Sequence, residues 1–348
     1  MTDHIYLIDK LNAEKALTHD EWVSLFEGYT PDDRTYAASV ADRLRREKFG
    51  DKIFIRGIVE FSNYCKNDCF YCGICRSNRN AERYRLSESE ILECCAEGHA
   101  AGYRTFVLQS GEDPVYTPQR VAELVREIKQ LYPECAVTLS IGELERADYQ
   151  LLRDAGADRY LLRHETAVKE HYEKLHPSFM SFRHRMECLR TLKELGFQTG
   201  AGMMIGSPFQ TAHELAEDMI FLAGFKPHMV GTGPFIPHRD TVFRDKPAGS
   251  FGLTLFVLAL VRLMLPNVLL PATTALGTIH PEGREQGILH GANVIMPNLS
   301  PLSVRKKYML YDNKIGTTDS HEDILADIRG RLKRIGCEAA VSRGDYSE

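Results

Sequence analysis

The stretch "IFIRGIVEFSNYCKNDCFYCGIC", residues 53–75, runs from a β-rich segment straight into four cysteines within eleven positions, Cys65 to Cys75. Its first part is dense in Ile, Val and Phe, the residue types that fit a pleated strand. The segment after that strand decides the fold. A doubly wound open sheet typically places a glycine-rich turn directly after its first strand. Here a loop from about Ser62 to Leu86 takes that place, far longer than the few residues of an ordinary βα connection, which marks it as functional or disordered.

Outward from this point, β-rich runs alternate with amphipathic helical stretches. The candidate strands are "IFIRGIVEF", "TFVLQS" from Thr105, "AVTLSI" from Ala136, "RYLLRH" from Arg159, "TGAGMMIG" from Thr199, "HMVGTGPFI" from His228, "LLPATTAL" from Leu269 and "ANVIMPN" from Ala292. "SESE" at Ser87–Glu90 and "TAHE" at Thr211–Glu214 read as capping boxes, and Thr117-Pro118 as a cap before a first-turn proline. Gly102, Gly156, Gly196 and Gly291 each close a helical run. Eight βα units in roughly 250 residues fit a (β/α)8 TIM barrel, which would place the cysteine loop on the C-terminal face where active sites are built. The expected organisation is an N-terminal helical extension over 1–50, the barrel over 51–300 and a C-terminal extension with a terminal helix over 301–348. Two N-terminal amphipathic helices are expected to cap the bottom of the barrel.

Composition narrows the partners. With 43 Lys+Arg against 48 Asp+Glu the net charge is -5, so no global basic field points to nucleic acid or an anionic membrane. The most apolar segment, Leu253 to Ala272, is interrupted by Arg262 and Pro266; a buried helix followed by a strand is expected, not a membrane span. The N-terminus carries acidic residues and no apolar run of signal-peptide length. The expected location is the cytoplasm and the expected partner a small molecule. Nine cysteines, four of them in one loop, argue for reduced thiols, some holding metal, over a disulfide framework.

Cys65, Cys69 and Cys72 form C-x3-C-x2-C, with Cys75 beyond. Four thiolates can complete a zinc tetrahedron, but zinc usually takes two cysteine pairs separated by a longer loop. Three thiolates on one loop suit three corners of a 4Fe-4S cluster, with the fourth iron open. C-x3-C-x2-C with Tyr71 before the last cysteine, placed after the first strand of a βα barrel, resembles the radical S-adenosylmethionine (SAM) enzymes. The resemblance implies one 4Fe-4S cluster on Cys65, Cys69 and Cys72, SAM chelating the open iron, and reductive cleavage of SAM to methionine and a 5′-deoxyadenosyl radical. Cys75 is then supernumerary, and Cys94, Cys95, Cys135, Cys188 and Cys337 are expected to be small core residues.

"QSGED", "ADRYLLRHET", "TGAGMMIG", "GPFIPH", "PATTALGT" and "GANVIMPN" together resemble one group of this family, the HydE maturases of FeFe-hydrogenase. From that likeness, Tyr71, Ser110, Gly111, Glu112, Glu165, Arg185, Met204 and Ile236 are expected around SAM, with His184 and Arg183 as alternatives to Arg185. Gln109, Thr138, Arg159, Arg163, Thr273, Thr274 and Tyr308 are expected to line the substrate cavity. Strand alternation independently sends Arg159, Leu161, Arg163 and Glu165 to one side, and two inward arginines would need anionic partners. The opposite phase, with these groups meeting helix ends, is the alternative.

The resemblance further implies a cysteine-bound iron complex carrying CO and cyanide as substrate, handed over from HydG and passed toward the scaffold maturase HydF, with flavodoxin or ferredoxin as reductant. A methylornithine-synthase-like mutase or synthase acting on a free amino acid is the second enzyme reading, and a non-catalytic iron-sulfur or zinc protein the reading from another class. Some members carry three further cysteines near the end of the barrel for an auxiliary cluster; "YDNKIGTTDSHED" has none, so no second cluster is expected.

Overall fold

The computed structural model describes residues 4–318 and 321–347. Its centre is a ring of parallel strands. Lys52–Ile55 and Gly57–Ser62 form the first position, followed by Thr105–Ser110, Ala136–Ser140, Arg159–Leu161, Gln198–Ala201 and Met229–Val230, each paired in parallel with the next. Bridges Met229 to Leu269 and Pro271 to Val294 supply the seventh position. Val294–Ile295 is the eighth, and its pairing with Phe54 and Ile55 closes the barrel. All eight expected positions are filled, the seventh by bridges alone, and the last five are much shorter than the apolar runs that announced them.

The punctuation of the sequence is used as expected. Ser87 and Thr211 make full capping boxes with Glu90 and Glu214, and Thr117 caps the helix Pro118–Leu131. Gly102, Gly156, Gly196 and Gly291 all adopt positive φ after their helices. Phe251–Met264 is a helix whose residues from Thr254 onward are all buried, because the barrel covers one side and the long helix Pro31–Phe49 packs on the other. Among the described residues no helix is long and apolar enough to cross a membrane.

The N-terminal region corrects one expectation. It forms three helices, His4–Glu14, His19–Gly28 and Pro31–Phe49, and these pack on the outer helices Ala212–Phe225 and Phe251–Met264. The floor of the barrel is instead closed by the C-terminal tail. After the helix His321–Arg334, the strand Glu338–Ala340 pairs in parallel with Lys52–Phe54, and the chain then turns beneath the ring. There Arg159 donates to the carbonyl of Arg343 at 2.7 Å, to the carboxylate of Asp345 at 2.6 Å and to Thr105 Oγ1 at 3.1 Å. Arg56 donates to the Gly344 carbonyl at 3.1 Å. Arg159 is fully buried and starts its strand, so its guanidinium runs to the N-terminal end of the barrel. It does not join the groups at the mouth.

Removing one partner of a buried charge leaves the other uncompensated. Burial pushes the Asp345 carboxyl up, but Arg343 and Arg159 outweigh it and hold the group below the usual carboxylate range. Its stabilising contribution is therefore present at neutral pH and lost as pH falls through that depressed folded value. Because Asp345 is itself exposed to solvent, Asp345→Ala should lower unfolding free energy by only about 0.5–1 kcal/mol at pH 7 in urea titrations, with the difference from wild type shrinking below pH ~4.

Candidate active site

The cysteine loop has little regular structure and is held by side-chain hydrogen bonds to its backbone. Arg83 donates to the carbonyls of Asn63, Ile74, Cys75 and Asn78, at 2.5, 2.8, 2.6 and 3.1 Å. Asn63 donates to the carbonyls of Glu82 and Lys307 and accepts from the Tyr84 N–H at 2.8 Å. Asn78 donates to the Gly73 carbonyl at 2.7 Å. These bonds draw the two ends of the loop together and turn its middle toward the mouth of the barrel.

The turn after the second strand locks onto the loop. The Gly111 N–H donates to the Ser62 carbonyl at 3.1 Å, and the Lys66 N–H to the Glu112 carbonyl at 2.9 Å. A Cβ on Gly111 would sit 2.3 Å from the Tyr64 carbonyl oxygen and 2.7 Å from Cys65 Cβ, so only glycine allows this approach. Asp113, which sequence reading left without a role, is buried and accepts from both Arg85 Nε (2.6 Å) and Nη2 (2.9 Å) and from Ser62 Oγ (2.6 Å). Arg85 in turn lies 3.5 Å from the centre of the Tyr64 ring.

All nine cysteines are free thiols; Cys65, Cys69 and Cys72 are half-buried and Cys75 fully buried. The Glu112 N–H reaches Cys65 Sγ at 3.4 Å, and Cys69 Sγ lies 3.7 Å from Met180 Sδ. Burial, then Cys72 and Cys65, push the Cys69 thiol well up, and burial, then Cys65, do the same to Cys72. Thiols raised in this way bind as thiolates only around concentrated positive charge. Two metal groups meet that need. A tetrahedral zinc with Zn–S of about 2.3 Å requires sulfurs within about 4 Å of one another. Among the described residues no three of the loop's thiols lie within 4.8 Å of one another. Three half-exposed thiols on one loop suit the corners of an iron-sulfur cluster. Cys75 turns away, its Sγ 3.6 Å from Ser77 Oγ.

Beside the loop lies a cleft of about 840 Å³ lined by Lys66, Ser110, Glu112, Glu143, Met180 and His184. Glu112 is held by the Glu143 N–H at 3.0 Å and Lys66 at 3.1 Å. Gly142, at φ +89°, makes room for it, since a Cβ there would sit 2.0 Å from Glu112 Cγ. Deeper at the mouth, Arg163 donates to both oxygens of Glu165, at 2.9 and 2.7 Å. Glu165 is buried and, unusually for a non-glycine, has φ of 66°. Burial opposes its charge, but Arg163 and then Arg185 hold its carboxyl below the usual range.

Arg185 donates to the Arg163 carbonyl at 2.7 Å and pairs with Glu143. Of the three alternatives at this point, Arg185 is the buried one. Arg183 is at the surface with Glu187, and the exposed edge of His184 lies 3.9 Å from Glu143. Tyr71 donates to His176 Nε2 at 3.1 Å, and His176 Nδ1–H donates to the Tyr172 carbonyl at 2.9 Å. Burial, then Arg185, push His176 down to about 4, so the ring is neutral and acts as a strut.

Among the remaining expected residues, Gln109 meets Tyr308 OH at 3.3 Å, and the hydroxyl of Thr138 is buried without a partner among the described residues. Thr273 spends its hydroxyl on capping the helix Thr274–Ile279. Met204 is buried and Ile236 half-buried near the mouth. Arg159 is the exception, engaged at the floor with the C-terminal tail. Sequence reading also missed the buried pair of Glu60 and Lys314 beside Tyr308, with Asn298 donating to Glu60 at 2.8 Å; Glu60 hides inside an otherwise apolar strand, and Lys314 arrives from 254 residues away.

Comparison with known proteins agrees with this geometry. The model of the Radical SAM superfamily matches residues 59–222. The chain is 51% identical over 276 residues to the [FeFe] hydrogenase maturase subunit HydE of Thermotoga maritima, covering 79% of this chain and 78% of that one. It is 32% identical to 3-methylornithine synthase of Methanosarcina barkeri, covering 95% and 93%. The crystal structure of methylornithine synthase (PylB) superposes with a TM-score of 0.83 at 29% identity, covering 96% and 97%. HydG, at 20% identity and a TM-score of 0.80 over 97% of this chain and 76% of its own, shares the fold. The chain therefore belongs to the radical SAM superfamily, whose enzymes use a 4Fe-4S cluster and SAM, and within it to the HydE-like hydrogenase maturases.

Proposed function

We propose that this enzyme cleaves SAM reductively and acts on a small anionic substrate, a cysteine-bound iron complex carrying CO and cyanide, in assembly of the FeFe-hydrogenase diiron cofactor. The observation that carries the reading is the 51% identity to HydE over 276 residues, 79% of this chain. When bound, the cluster supplies the electron that splits the SAM sulfonium into methionine and a 5′-deoxyadenosyl radical.

The chain's own groups have separate tasks in this proposal. Cys65, Cys69 and Cys72 hold the cluster. Ser110, Gly111 and Glu112 offer backbone and carboxylate to the methionyl end, and Lys66 and the Glu143 N–H keep Glu112 aimed. Glu165 and Arg185, already paired inside the protein, present a fixed field to the zwitterionic part of the cofactor without reorganisation. Gln109, Thr138, Arg163, Thr274 and Tyr308 hold the substrate, and the floor plug keeps water from entering behind it. The complex would be received from HydG and its product passed toward HydF, with flavodoxin or ferredoxin as electron donor, all in the cytoplasm.

A second reading, a radical mutase or synthase on a free amino acid, is favoured by the 0.83 TM-score to methylornithine synthase. Anaerobic reconstitution followed by dithionite and SAM should yield 5′-deoxyadenosine by liquid chromatography. Its absence from cluster-loaded protein would sink both readings. Consumption of a synthetic iron–cysteine carbonyl cyanide complex, and not of a free amino acid, separates them. Cys69→Ser should lose the cluster by iron analysis and visible charge-transfer absorbance, whereas Cys75→Ser should keep it. Arg83→Ala leaves every thiol in place but frees four carbonyls; it should retain a folded barrel by circular dichroism while iron per chain falls severalfold.

A further inference from the structure

A second cavity, of about 550 Å³, opens on the flank of the barrel. Glu60, Thr274 and Asn298 line it on the barrel side, and Ile324, Ile328 and Arg331 of the helix His321–Arg334 on the other. Its size is that of a small-molecule site. Nearly every charged group around it is already matched. Lys314 pairs with Glu60, and Arg331 with Asp327 at 2.7 Å and with Glu285 at 3.0 Å.

Arg284 is different. It lines the cavity and is half-buried, yet among the described residues it has neither a hydrogen bond nor an ion pair; its Nε is turned inward beside Gly277 without a partner, which leaves the two Nη groups to meet a ligand. A guanidinium so placed costs free energy unless something completes it. A planar anion would do so through two parallel N–H bonds. A single charge on the anion suits the site, because the pairing of Glu60 with Lys314 and of Asp327 with Arg331 leaves Arg284 as the cation a ligand would meet. The rest of the lining is apolar, with Ile58, Met296 and Ile315 among it, so the body of the ligand is hydrocarbon.

We infer that the Arg284 cavity is a binding site for a monocarboxylate with an apolar body, separate from the thiol loop and the SAM cleft. The inference does not rest on the proposed reaction, since binding is read directly.

The test is calorimetric titration of full-length, cluster-loaded protein with hexanoate, acetate, hexylamine and inorganic phosphate under anaerobic conditions. Hexanoate should bind saturably and more tightly than acetate, because each buried methylene adds affinity, while hexylamine and phosphate should not bind. Arg284→Gln should weaken hexanoate about tenfold or more, as loss of a charge-assisted pair does, and Arg284→Lys should recover part of it. Should Arg284→Gln fail to fold, Ile315→Trp, at the half-open rim, fills the same space and should also abolish hexanoate binding. No saturable binding of hexanoate, binding unchanged in Arg284→Gln or Ile315→Trp, or equal binding of phosphate would each overturn the assignment.

Discussion

Arg83 is the interaction on which the site depends. One guanidinium satisfies four backbone carbonyls from both ends of a loop that has no ladder of its own. Loop carbonyls turned inward would otherwise be buried without partners, a cost that unfolds local structure. By meeting them from within, Arg83 lets the chain between Asn63 and Asn78 fold back and expose three thiols on one side. Arginine suits the task because its donors are fixed in a plane and its charge does not titrate.

From that fixed loop the electrostatics of the mouth follow. Half-buried thiols and a buried carboxylate, Glu165, lie near two guanidiniums, Arg163 and Arg185. Each carboxylate at the mouth has a cation at short range, Glu165 with Arg163, Glu143 with Arg185 and Glu112 with Lys66. The neutral His176 between Tyr71 and the Tyr172 carbonyl ties loop to barrel without adding a charge to this balance. The opposite end works by the same rule with different parts. There the inward arginines Arg56 and Arg159 are met by the carbonyls and carboxylate of the tail, which also makes the barrel a chamber with one open end.

Fold and chemistry separate cleanly among the relatives. Methylornithine synthase and HydG superpose over nearly the whole chain, so the barrel by itself does not choose a reaction. The side chains that reach into it do. Glu60 with Lys314, the free hydroxyl of Thr138, and Gln109 against Tyr308 form the polar interior of this barrel, and these groups come from segments far apart in sequence.

By itself the sequence determined the barrel, the cluster loop and the family. Local signals carry those: the period of apolar runs, the caps at Ser87 and Thr211, the glycines at helix ends, and three cysteines whose spacing is short enough to be read along the chain. Even the turn at Ser110–Glu112 was legible, because Gly111 is demanded by a contact with the neighbouring loop. Only the tertiary structure decided where long side chains end. Arg159 and Arg163 share a strand face and look alike in sequence, yet one reaches down to the tail and the other up to Glu165. The choice depends on partners, Asp345 and Glu165, of which one lies 186 residues away. Likewise the clamp of Arg83, the pairing of Glu60 with Lys314 and the unmatched Arg284 are set by long-range closure of the ring. Periodicity says which face a residue occupies, and only the closed ring says which charge it meets there.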